Sequence, residues 1–269
     1  MEKVLSIKSL GREIIWTLVY YWRLGKQLIY PVFPIKSEPK VSAIIPVYSP
    51  ERLRNVKRQI ELLKKCDFIE RIVISNHNPD IKLKQVLEDS DDRIVVVDQN
   101  TRRGCGYQWL VLKTFQPDLI FSIDDDMLLF PFQLVKVLEE LESNPGVPHG
   151  VAGWSGRVYL KNQEVCVNRL TQFYAITIEH LGNYFELVDA IASGDGDIKE
   201  LIEFWGDDLV ISRTGSDLPR IHKVGVIIQD RTATKLGVAT FTYDGFLDNR
   251  KKVSNLLKEI TDITEFRKK

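Results

Sequence analysis

Leu119-Ile120-Phe121-Ser122-Ile123-Asp124-Asp125-Asp126-Met127-Leu128 is an apolar run broken by three successive carboxylates. A short apolar run of this kind predicts a buried strand. Side chains alternate faces along a strand, so Asp124 and Asp126 share one side and Asp125 takes the other. Two like charges about 6 Å apart repel by roughly 3 kcal/mol at an effective dielectric near 20. Acids at the end of a core strand therefore need a reason to be there. A hard divalent cation supplies one, because Mg²⁺ and Mn²⁺ prefer oxygen ligands and share them with substrate phosphates. A solvated acidic turn is the plainer alternative, and the surrounding chain has to decide between them.

Upstream of this stretch, apolar runs alternate with helical patterns. Val41 to Val47 predicts a first strand. A helix follows over 51–66, with Leu53, Val56, Ile60 and Leu63 at helical spacing. Ile69 to Ser75 predicts a second strand, 81–87 a short helix, Arg93 to Asp98 a third strand and 107–115 another helix. Leu119 to Ile123 is then the fourth strand, and Pro131 opens a helix in which Phe132, Val135, Leu138 and Leu141 share a face. The alternation predicts a mostly parallel α/β sheet flanked by helices. Ligands of such sheets bind beyond the carboxyl ends of the strands. The polar turns 48–50, 76–79, 99–106 and 124–126 all open at that edge.

After Pro148 the pattern is less regular. Residues 151–157 predict a strand with close backbone approach. Asp207 and Asp208 form a second acidic pair among apolar neighbours, and a place at a helix N-terminus also suits them. Lys251 to Ile260 predicts a closing helix.

Composition narrows the field. The 269 residues suffice for a large core without staples, and 37 basic residues balance 37 acidic ones. No net basic field points to nucleic acid. Residues 1–40 and 250–269 each carry seven lysines and arginines against three acids, which leaves an acidic body between basic ends. Ile14 to Trp22 is aromatic and apolar but far short of the roughly 20 residues that span a bilayer. With its basic flanks it suits an interfacial helix over residues 10–30, and packing on the body or on a second subunit of a homodimer is the alternative. Cys66, Cys105 and Cys166 are odd in number without a CxxC pair, and the four histidines lack HExxH spacing. This argues against a disulfide framework or a zinc site and fits a reducing, cytoplasmic setting, with peripheral membrane contact as an addition.

Taken in order, Val41–Tyr48, Ile72–Asn78, Arg93–Arg103, Ser122–Asp126 and Gly206–Ile211 resemble the GT-A nucleotide-sugar glycosyltransferases. Within them they are most similar to the exostosin and exostosin-like N-acetylhexosaminyltransferase domain. The resemblance implies a Rossmann-like GT-A domain over residues 40–260, after an N-terminal extension (1–39) and before a basic tail (261–269). It implies a UDP-sugar donor, a glycan or glycolipid acceptor, and Mn²⁺ (or Mg²⁺) held by Asp126 and Asp124. Pro46, Val47, Tyr48, Asn76, Asn100, Arg102, Arg103, Asp124 and Asp125 would then bind the donor. Asp208, or else Asp207, would act near the anomeric carbon. The family tends to have adjacent asparagines where His77 separates Asn76 from Asn78, and a C-terminal histidine where Tyr243 and Asp244 stand. It retains anomeric configuration. An inverting GT-A transferase of polysaccharide synthesis and a non-catalytic sugar-nucleotide or glycan-binding module are the alternatives.

Overall fold

The computed structural model describes Leu18, Trp22 and residues 41–87, 91–230 and 232–267. The chain divides into two units, residues 1–36 and 37–269. Leu18 and Trp22, both helical and exposed, belong to the first. The rest of the aromatic segment 14–22 lies outside the described residues. Among the described residues, no helix is long and apolar enough to cross a membrane.

The second unit opens with the expected alternation. Strand β1 (Val41–Val47) is buried along its whole length. Helix α1 (Leu53–Leu63) follows a short 3₁₀ turn at Pro50–Arg52. Strand β2 (Ile69–Asn76), helix α2 (Leu83–Val86), strand β3 (Ile94–Asp98), helix α3 (Tyr107–Lys113) and strand β4 (Leu119–Ile123) complete the first half. The second half holds β5 (Met127–Leu128), α4 (Pro131–Ser143), β6 (His149–Gly150) and β7 (Ala152–Ser155). Then come β8 (Val158–Lys161), β9 (Val165–Cys166), β10 (Arg169–Leu170) and β11 (Phe173–Thr177). Helices α5 (Ile178–Ala192), α6 (Gly196–Trp205) and α7 (Asp207–Ile211) precede β12 (Arg220–Ile221), β13 (Ile228–Gln229) and the closing α8 (Phe246–Arg267). Helix α8 runs past Ile260, so much of the segment set apart above as a tail is helical.

An eight-stranded sheet has the order β3-β2-β1-β4-β11-β6-β12-β9. Strands β1 to β4 are mutually parallel, and β11 is antiparallel to β4. Strand β1 has β2 on one side and β4 on the other, so the chain switches direction between β1 and β4. That switch opens a crevice at the strands' carboxyl ends, between Tyr48 and Asp124. Two small sheets, β10-β7-β8 and β13-β5, flank the acid turn. Phe121 packs edge-on against Phe68 and Phe173 beneath it. The strand expected over 151–157 is β7, whereas the two-residue strands β5, β10 and β13 carry no readable period.

One edge of the sheet is held by a polar cluster. His149 and His222 stack with ring centroids 5.1 Å apart and share a 2.8 Å hydrogen bond. Glu164 meets His222 Nδ1 at 2.9 Å and accepts from the Lys223 N–H and the Lys136 ammonium. Partial burial raises the Glu164 pKa, but these donors outweigh it and hold the carboxyl at about 2 against an ordinary 4.5. A depressed carboxylate contributes stability above its unfolded pKa and loses it as pH falls through its folded one. Glu164→Gln is therefore expected to be less stable than the wild type at pH 6. Urea denaturation at stepped pH should show that gap closing between about 4.5 and 2; a gap constant with pH contradicts the ionic account.

Candidate active site

The acid turn is gripped by helix α1. Asn55 Nδ2 donates to the carbonyls of Asp125 and Met127 at 2.8 and 3.2 Å. Gln59 Nε2 donates to those of Asp124 and Met127 at 2.7 and 2.5 Å. From the other sides, the Asp124 N–H donates to the Gln172 carbonyl at 2.8 Å, and the Asp230 N–H to the Asp126 carbonyl at 2.6 Å. These bonds fix the backbone before any carboxylate is considered.

The carboxylates then divide. Asp125 is buried, with Oδ1 2.5 Å from Arg52 Nη1 and Oδ2 accepting from the Tyr48 N–H at 3.2 Å. The structure thus turns Asp125 into the fold, bonded on both oxygens, rather than toward a donor. Arg52 Nη2 also lies 3.2 Å from Asp126 Oδ2, and Arg52 is pinned by the Thr232 hydroxyl and carbonyl. One guanidinium therefore faces several carboxylates. Asp126 Oδ1 is buried and has no hydrogen-bond partner. Burial lifts Asp126 to about 6 against the pull of Arg52, with Asp125 and Asp230 adding to the rise. Asp124 is raised well above the carboxylate range by burial, then by Asp126, Asp125 and Asp207. Asp124 and Asp126 thus form an under-compensated set of oxygens, and the bare Asp126 oxygen fits a hard divalent cation.

The second acidic pair lies within electrostatic range of the first. Asp207 and Asp208 begin α7, and the charge of Asp207 reaches Asp124. Asp208 Oδ2 lies 2.8 Å from Arg250 Nη2 and 3.4 Å from Arg169 Nε. Burial pushes the Asp208 pKa up, but the two arginines overcome it and hold the group below the usual range. Asp207 goes the other way, to about 7, because burial and Asp208 outweigh Arg250. The adjacent carboxyls are therefore differentiated, one fixed as an anion and one poised to exchange a proton.

A cavity of about 190 Å³ opens along the ends of β1, β2 and β3; none of the acids lines it, and Tyr48, whose N–H donates to Asp125, connects the two. Tyr48, Ser49 and Pro50 form one wall, His77 and Asn78 a second, and Arg102 to Cys105 a third; Phe204, Trp205 and residues of the 237–243 loop complete it. His77 sets the third wall. Its Nδ1 lies 2.8 Å from the Gly104 carbonyl, which only accepts, so Nδ1 carries the proton. Nε2 then accepts from Ser75 Oγ, also at 2.8 Å. Burial lowers the His77 pKa to about 4, leaving the ring neutral at pH 7. Gly104 has no room for a side chain, since a Cβ would come within 2.4 Å of the Glu203 carbonyl oxygen.

No protein-family model matches the chain, and no curated protein matches it in sequence. Its architecture is nevertheless shared with solved structures. GalNAc-T7 with UDP, GalNAc and Mn²⁺ aligns at a TM-score of 0.58 and 11% identity, over 82% of this chain and 48% of that one. The mannosyltransferase PcManGT from Pyrobaculum calidifontis, in complex with GDP-Man and Mn²⁺, gives 0.51 at 14% identity, over 94% and 80%. S. aureus TarS 1-349 in complex with UDP-GlcNAc gives 0.53 at 14% identity, over 78% and 64%. The fold is that of the GT-A glycosyltransferases. This chain spans about half the length of the GalNAc-T7 chain it aligns with.

Within the GT-A fold the expected residues separate by geometry. Tyr48, Arg102 and Arg103 line the cavity, while Pro46 and Val47 are buried in β1 behind it. Arg103 also lies over the Tyr107 ring at 4.4 Å. Asn76 is fully buried and shapes its own turn, donating to the Ile81 carbonyl and Asp98 Oδ1. Asn78 instead lines the cavity and donates to the Tyr48 carbonyl at 2.9 Å. Asn100 is exposed and does not line the cavity. Sequence reasoning missed Arg52, Asn55 and Gln59, although their spacing of three and four puts them on one helical face. It also missed Arg169 and Arg250, for which there was no local signal.

Arg52→Met is expected to cost about 3–5 kcal/mol, because it strands Asp125 in the interior without a counter-charge. Adding Asp125→Asn should recover part of that loss. Urea denaturation at pH 7.5 of the single and double variants checks both; a loss under about 1 kcal/mol contradicts the pairing.

Proposed function

We propose that this chain is a metal-dependent glycosyltransferase that moves a sugar from a UDP-sugar to a hydroxyl of a glycan or glycolipid. The observation that carries the reading is the under-compensated Asp124/Asp126 pair, with its bare buried oxygen, at the switch point beside an arginine-walled cavity. The three GT-A structures compared above, each solved with a sugar nucleotide or with UDP and a sugar, support it. Asp126 and Asp124 would hold Mn²⁺ or Mg²⁺. When bound, such an ion neutralises charge growing on a departing diphosphate.

The chain's own groups do the rest. The cavity between Tyr48, His77 and Arg103 receives the nucleotide, with Arg102 and Arg103 supplying cationic donors for its phosphates. Arg52 and the Tyr48 N–H hold Asp125, and through it the turn, in register. Retaining transfer, as in the exostosin-like resemblance, would use Asp208 as the carboxylate that stabilises positive charge at the anomeric carbon. One observation favours the inverting alternative: Asp208 is already paired by two arginines, whereas Asp207, at about 7, is able to take a proton from an acceptor hydroxyl.

A donor screen by UDP release, with and without Mn²⁺, tests the reading. Release is expected from at least one UDP-sugar, dependent on the ion and reduced about 100-fold or more by Asp126→Asn. No release from any donor, or full activity in the variant, contradicts it. NMR of the product's anomeric centre separates the two stereochemical courses. Inversion together with loss of activity in Asp207→Asn assigns the base to Asp207, whereas retention returns the role to Asp208.

A further inference from the structure

On the side of β4 away from the nucleotide cavity lies the small sheet β10-β7-β8. Its register pairs Arg169 with Trp154, and Trp154 with Tyr159. Residues directly opposite on neighbouring strands share a face, so these side chains form one row. The Trp154 and Tyr159 rings are 5.3 Å apart and tilted by 51°. The Arg169 guanidinium lies 5.6 Å from the Trp154 ring centre.

Both ends of the row reach the acids. Arg169 pairs with Asp208. The Tyr159 hydroxyl donates to Gln172 Oε1 at 3.0 Å, and the Gln172 carbonyl accepts from the Asp124 N–H. Gln172 makes these two contacts from a left-handed backbone, φ +68°, which costs a residue with a side chain about 1–2 kcal/mol. Burial raises the Tyr159 pKa, and the charges of Asp126 and Asp124 add to the rise, so the ring sits within their field. The tip of the hairpin is fixed too, by a 2.8 Å bond from the Gly156 N–H to Asn168 Oδ1. Yet the row is not sealed, since Tyr159 is 37% exposed.

We propose that Arg169, Trp154 and Tyr159 form an acceptor subsite on which a pyranose ring of a glycan stacks, its reacting hydroxyl directed at the two acidic pairs. This rests on the glycosyltransferase reading and narrows its acceptor to the sugar ring of a glycan, held at a defined place. Aromatic faces carry negative potential and suit the C–H face of a sugar ring. Arg169 and Gln172 flank the rings with polar atoms for the equatorial hydroxyls. Attached at both ends to the catalytic acids, the row positions a ring rather than merely covering the sheet.

Saturation-transfer NMR tests this with the full chain, UDP and diamagnetic Mg²⁺, using cellobiose, chitobiose and mannobiose as probes. At least one disaccharide is expected to bind the wild type, with transfer strongest to the C–H protons of one ring face. Tyr159→Ala and Trp154→Leu should each weaken that binding roughly tenfold. UDP binding by calorimetry should stay unchanged, which also verifies that the variants fold. Equal disaccharide binding in wild type and variants overturns the subsite, as does binding of UDP with none of the sugars, or preference for a tyrosyl peptide or an alkyl chain. A wild type that binds neither UDP nor sugar overturns the transferase reading as well, so the two failures are distinguishable.

Discussion

The structure around the crevice is governed by a shortage of positive charge. Three successive carboxylates end a buried strand, and Arg52 is the guanidinium that pairs with two of them, Asp125 and Asp126. Its position is settled by Asp125, which takes its closest contact. Asp126 is left with one oxygen bare, and Asp124 with a pKa raised by burial and by its neighbours. Desolvating several like charges is costly unless something offsets it. A bound cation would offset it, and on the proposed reading the residues that hold the turn also define where a ligand's phosphates would lie.

Topology explains why these charges are not dispersed. Strand β1 pairs with β2 on one side and β4 on the other, so the Tyr48 backbone comes beside the acids and donates to Asp125. The 3₁₀ turn and helix α1 follow directly and bring Arg52, then Asn55 and Gln59, under the same turn. Strand β11 runs antiparallel beside β4 and delivers the Gln172 carbonyl to Asp124. From further along the chain, α7 adds the second acidic pair. Arg250 on α8 and Arg169 on β10 converge on one of its members and leave the other free to hold a proton near neutrality. The site is thus assembled from both halves of the sheet, with the cavity on one flank and the aromatic row on the other.

Much of the first half was legible from local pattern. Strands β1 to β4 are largely apolar runs, the helices between them have apolar faces, and polar turns mark the strand ends. Asp124 to Asp126 stood out because acids follow an apolar run, and Asp207 and Asp208 do begin a helix. What could not be read were partnerships across long sequence distances. Arg52 and Asp125 are 73 residues apart, and Asp208 and Arg250 are 42 apart. Nothing local distinguishes those arginines from solvated ones. Asn76 illustrates the converse: its type and place suggested donor binding, but its amide bonds inward and the neighbouring Asn78 faces the cavity. The polar face Arg52, Asn55, Gln59 was visible in principle, since three polar side chains on the packed side of a helix need buried partners.

The central claim, that Asp124 and Asp126 exist to hold a divalent cation, is most directly tested by titrating Mn²⁺ into the chain and following free ion by electron paramagnetic resonance. One site per chain is expected in the wild type, tightened by UDP and absent from the Asp124→Asn/Asp126→Asn double variant. Equal Mn²⁺ binding by the wild type and the double variant, with or without UDP, would contradict the account.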